Sequence, residues 1–98
     1  MIKDKSKQKK LIKFFKALIN EERLEITRLL IKEKEMCPQD VERNFYLEQS
    51  TTSHHLNMLK SAGVAESRRE GRNLYYSVNV ANLKQKIAEF QGMFETEE

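Results

Sequence analysis

Cysteine occurs once in the 98 residues, at Cys37. A single thiol excludes an intramolecular disulfide framework and suits a reducing compartment. Long apolar runs are missing as well. Charge continues through Lys10, and the apolar residues after it are interrupted by Lys13 and Lys16, so no secretory leader is legible and nothing approaches the ~20 apolar residues of a membrane span. The expectation is a cytoplasmic protein with no membrane partner. Hydrophobic residues are scarce, at 39%, and charged residues abundant, at 34%, against a usual ~45–50% and ~25%. One domain over residues 1–98 exhausts a chain of this length. Its core is small enough that pairing with a second chain is a reasonable way to bury more apolar surface. No repeat, low-complexity tract or long linker interrupts it. No Ser/His/Asp set, carboxylate pair or phosphate loop appears in a fitting context, so an enzyme is not expected and no cofactor is implied.

What is present is charge, unevenly placed. The formal net charge is only +3, but Lys3, Lys5, Lys7, Lys9, Lys10, Lys13 and Lys16 load one end. Arg68, Arg69 and Arg72 form a second cluster, and Glu89, Glu95, Glu97 and Glu98 close the chain. Either basic cluster can meet phosphate; a lysine run is as readily a solvated helix face.

Hydrophobic spacing then gives the elements. Leu11, Phe14, Phe15, Leu18 and Ile19 recur at three and four residues, predicting an amphipathic helix over about Lys5 to Leu18. Asn20 reads as the N-cap of a second helix, with Glu21 and Glu22 in its first turn and Ile26, Leu29 and Leu30 inward, fading near Lys34. Pro38 suits the first turn of a short third helix carrying Val41 and Phe45 and ending near Asn44 to Tyr46. A fourth helix runs from about Gln49 to Ala62, with Gly63 as its stop. From Val64 the period changes to two. Residues 64–69 and 74–78 flank Glu70-Gly71-Arg72-Asn73 as a hairpin. Leu83, Ile87, Phe90 and Phe94 are the stripe of a last helix. The order ααααββα, mainly helical with a small hairpin, is that of a winged helix-turn-helix domain with an extra helix at each end.

On the fourth helix Thr52, Leu56, Leu59 and Gly63 share one face, and Ser50, Ser53, His54 and Asn57 the other. A helix entering a major groove needs short polar side chains near its N-terminus, which Gln49, Ser50, Thr51, Ser53 and His54 supply. An ordinary surface helix capped by Ser50 has the same pattern. The hairpin adds to the DNA reading, since Arg68, Arg69 and Arg72 around Gly71 can hold phosphate or minor groove while the helix reads bases. His54 and His55 point about 100° apart on a helix and do not share a metal ion easily. His54 is expected to face DNA and His55 to pack. Tyr75 and Tyr76 alternate faces, one of them inward.

Three blocks now resemble the ArsR/SmtB family of small bacterial winged-helix repressors. They are residues 20–26 (NEERLEI), residues 47–56 (LEQSTTSHHL) and residues 68–77 (RREGRNLYYS). The resemblance implies a homodimer joined by its first and last helices, with Leu11, Phe14, Phe15, Leu18, Leu83, Ile87, Phe90 and Phe94 at the interface. It also implies double-stranded DNA as partner, read as an imperfect palindrome, and repression relieved by a signal. Gln49, Ser50, Ser53 and His54 stand at the family's reading positions, and Arg68, Arg69 and Arg72 in its wing. The family's metal motif, Glu-Leu-Cys-Val-Cys-Asp, is here Glu35-Met36-Cys37-Pro38-Gln39-Asp40, with one thiol of two. The family's other site takes Asp and His from the last helix, and residues 79–98 hold neither. No metal site is expected, and the inducer is left unnamed. Cys37 is either an inert structural thiol or a redox sensor. A protein-interaction module on the same fold is the competing function.

Overall fold

The computed structural model describes residues 5–95. Lys3, Glu97 and Glu98 of the terminal charge clusters lie outside the described residues. The elements are α1 (Lys5–Leu18), α2 (Glu21–Glu33), α3 (Pro38–Phe45), α4 (Gln49–Ser61), β1 (Ala65–Glu70), β2 (Asn73–Val78) and α5 (Val80–Glu95). Each helix starts or stops where a local signal stands. Asn20 accepts the Arg23 amide at 3.0 Å and caps α2, satisfying one of the amides a helix start leaves unpaired. Pro38 occupies the first turn of α3. Gly63 has φ +86°, a left-handed backbone that favours glycine, and a Cβ there would push aside the Asn82 amide, whose Nδ2 it would meet at 2.7 Å. Asn82 uses that approach to donate to the Gly63 carbonyl at 2.8 Å. Asn79 in turn accepts the Asn82 amide at 3.1 Å, capping α5, a role the spacing argument did not anticipate.

The hydrophobic stripes converge as expected. Phe14, Ile26, Leu30, Val41, Leu56, Leu59 and Val64 are all but inaccessible to solvent, and Thr52 lies among them with no hydrogen-bond partner for its hydroxyl among the described residues. The strands pair antiparallel from Ala65 opposite Val78 to Glu70 opposite Asn73. Only Gly71 and Arg72 make the turn, and of the two only Gly71 has positive φ, the pattern of a type II′ hairpin. A third segment joins this sheet. Met36 and Tyr76 exchange both backbone hydrogen bonds, at 3.0 and 2.8 Å, tying the segment before α3 to the middle of β2. One isolated apolar residue has no period, which is why the sequence carries no sign of this bridge.

Two interface expectations are corrected here. Leu11 and Phe14 lie inside the protomer, 7% and 0% exposed, and have almost no surface to give a second chain. Phe14 instead meets Phe15 edge-on, Phe15 meets Phe90, and Phe90 meets Phe94, with ring centroids 5.5, 5.6 and 5.8 Å apart. The ladder leads from the core out to α5, where Ile87, Phe90 and Phe94 are exposed. Phe15, Leu18 and Leu83 are half-buried.

Candidate nucleic-acid interface

The candidate reading face lies on α4. Its core side, Thr52, His55, Leu56 and Leu59, is buried, while Gln49, Ser50, Ser53, His54 and Asn57 are exposed together on the other side. Thr51 sits at the boundary, half-buried. Glu48 occupies the N-cap position without a side-chain cap bond, so Ser50 does not cap the helix. Its hydroxyl is free of that duty.

His55 packs inward as expected, but into a polar network that the pattern of apolar residues does not reveal. Arg23, itself 8% exposed, donates from Nε to the Ala17 carbonyl at 2.7 Å. Its Nη1 lies 3.3 Å from His55 Nδ1. A guanidinium can only donate, so Nδ1 accepts and the His55 proton resides on Nε2. That proton is donated to Glu22 Oε1 at 2.7 Å. The end of α1, the start of α2 and the middle of α4 are thereby joined. The two ends of this network, Glu22-Arg23 and His55, lie 33 and 32 residues apart along the chain.

In the wing the three arginines separate. Arg68 donates to both Glu35 oxygens, at 2.6 and 2.8 Å, and to Glu70 at 2.6 Å. Its guanidinium carbon also stands 4.8 Å from the Tyr75 ring centroid, the cation–π arrangement. The Arg68 guanidinium holds the Glu35 carboxyl below the usual carboxylate range, and Glu35 and Glu70 raise the Arg68 pKa in return. Arg68 therefore anchors the wing to the segment before α3, its guanidinium already engaged by two carboxylates. Arg69 and Arg72 are exposed and keep their charges available. Tyr76 is the inward tyrosine, and Tyr75 lies half-buried beneath Arg68.

Tyr46 was not anticipated. It closes α3 in the left-handed region, φ 54° and ψ 42°, and stands 95% exposed three residues before the first residue of α4. The only sequence signal for it was an aromatic residue in a turn.

Cys37 is the N-cap residue of α3. Its thiol donates to Asp40 Oδ2 at 3.1 Å, and this bond, with Arg43 after it, keeps the Asp40 carboxyl below its usual range. One thiol and one carboxylate fall short of the two or three thiolates a soft metal takes. Among the described residues no three of His, Cys, Asp and Glu come together, so the donor set does not fit the family's metal.

A helix-turn-helix with an exposed polar face on its second helix and a basic hairpin beside it defines a winged DNA-binding protein. The family model described as "Bacterial regulatory protein, arsR family" matches residues 20–67. The chain is 38% identical over 81 residues to the cadmium resistance transcriptional regulatory protein CadC of Listeria innocua, covering 80% of this chain and 68% of that one. It is 38% identical over 73 residues to the transcriptional repressor SdpR of Bacillus subtilis, covering 74% and 80%. Among solved structures, the homodimeric winged helix-turn-helix DNA-binding domain of Mb0332 from Mycobacterium bovis superposes with a TM-score of 0.78 at 27% identity, over 97% of this chain and 87% of that one. The chain belongs to the ArsR family of DNA-binding transcriptional regulators.

Proposed function

We propose that the chain is a homodimeric repressor that reads a two-fold related operator and binds it without a metal ion. Gln49, Ser50, Ser53, His54 and Asn57 face the base edges, with Thr51 at their border. Arg69 and Arg72 hold the phosphates on either side of the Gly71 turn, and Tyr46 offers its hydroxyl to the backbone near the start of α4. The observation that carries this reading is the division of α4, whose packing residues, Thr52 and His55 among them, lie on one face while Gln49, Ser50, Ser53, His54 and Asn57 lie exposed together on the other. The named repressor SdpR and the homodimeric Mb0332 domain support repression and pairing. A lone thiol and a DNA target are consistent with work in the cytoplasm. The interaction-module alternative draws no support from these relatives.

Half-sites about one helical turn apart, ~10 bp, follow from two recognition helices on one face of the duplex. The test is fluorescence anisotropy of a duplex from the gene's own upstream region, with reduced, metal-free protein at two salt concentrations. Tight binding that weakens steeply with salt and survives excess random DNA is expected. Ser53→Ala and His54→Ala should each cost about 1–3 kcal/mol of discrimination. Normal affinity in both would overturn the assignment of the reading face.

A further inference from the structure

Between α1 and the C-terminal half of α4 lies a cavity of about 720 Å³, within the range of small-molecule sites. Ile12, Ile19 and Met58 give it apolar walls, and Lys13, Lys16 and Arg23 line it with positive charge. Arg23 is more than nine-tenths buried. Its described bonds go to a backbone carbonyl and to an imidazole nitrogen, while the adjacent Glu22 carboxylate is engaged by His55. Among the described residues no carboxylate pairs with it. Buried charges are ordinarily paired with an opposite charge, so a guanidinium left in this condition beside an open apolar space lacks an anion.

We propose that this cavity is a regulatory site for an apolar carboxylate, an aliphatic or aromatic acid whose body lies between Ile12, Ile19 and Met58 and whose carboxylate is taken by Arg23 with Lys13 and Lys16. The residues that line the cavity include these cations and no carboxylate, so its charge selects an anionic occupant. Arg23 is also the residue that holds His55 of the recognition helix, through the longer of its two bonds, 3.3 Å against 2.7 Å. A carboxylate binding Nη1 competes for that bond. The acid thus loosens α4 from α2 and lowers DNA affinity, a consequence that rests on α4 being the reading helix, whereas binding of the acid does not.

The experiment is a titration of the full isotope-labelled chain, without DNA, by decanoate and separately by 1-decanol, followed by amide NMR shifts. Saturable shifts around Ile12, Ala17 and Met58 are expected with decanoate. About tenfold weaker binding is expected with 1-decanol and with the Lys13→Glu/Lys16→Glu variant, whose exposed positions leave the fold intact. Absence of saturable shifts, or equal affinity for acid and alcohol, or undiminished binding by the variant, would overturn the site. DNA affinity is then measured with and without saturating decanoate. A drop supports regulation, and unchanged affinity overturns the regulatory role while leaving the site.

Discussion

Arg23 and His55 were visible in the sequence only as letters in a family-like block and as a histidine on the packing face. What joins them is a fold-level coincidence of three helices, and no local spacing encodes a bond across more than thirty residues. Removing one member of a buried polar network leaves its partner unsatisfied, at about 1–3 kcal/mol. His55→Ala should therefore lower stability by that amount, measured by urea denaturation. His55→Gln, which keeps an acceptor and a donor, should recover part of the loss. Arg68 tells the opposite story. Its charge and place beside Gly71 were legible, but its partner Glu35 lies 33 residues away, so a residue expected on phosphate turned out to brace the wing. The pairing has a pH signature. A carboxylate whose pKa is depressed in the folded state contributes stability above its ordinary value, 4.5 for Glu35, and loses it as pH falls through the depressed one. As pH falls below that ordinary value and Glu35 takes up a proton, the Arg68 side-chain resonances should shift by NMR. In Glu35→Gln that step should vanish.

Helix boundaries were the most legible part of the chain, because caps and breakers act within a few residues. Asn20, Pro38 and Gly63 each mark the end their chemistry suits. Two other termini depart from such rules. Lys34 closes α2 at φ 75° and Tyr46 closes α3 at φ 54°, conformations that cost an L-residue with a Cβ roughly 1–2 kcal/mol. Glycine at either place relieves that strain against its larger entropy in the unfolded chain. Lys34→Gly should raise the midpoint of thermal unfolding without changing DNA affinity. Tyr46→Gly should also raise it, stabilising the fold by up to about 1 kcal/mol, but weaken DNA binding if the tyrosine serves the interface. Comparing the two variants by calorimetry and anisotropy separates strain retained for function from strain alone.

The molecule as a whole is drawn out, 50 by 26 by 23 Å, with a radius of gyration of 15.0 Å against ~13 Å for a compact chain of this length. Its exposed aromatic residues on α5 belong to that elongation, and a protomer shaped this way leaves part of its apolar surface to be covered. The sequence showed an apolar stripe on each end helix but not which side of α1 turns inward, since its apolar residues wrap more than one face, and Leu11 and Phe14 went to the core. Phe14→Ala should cost about 3–5 kcal/mol as a core deletion. Phe90→Asp should leave a folded monomer, detected by sedimentation, whose DNA affinity is lost with its partner. The Met36–Tyr76 bridge gives the wing a different standing from a free hairpin, since two strands alone are marginal in water. Amide protons at Met36 and Tyr76 should exchange with deuterium only when the helical core opens, while those at Gly71 and Arg72 exchange freely. The arm we propose for the phosphates should thus be supple at its tip, with a root that melts only with the rest of the domain.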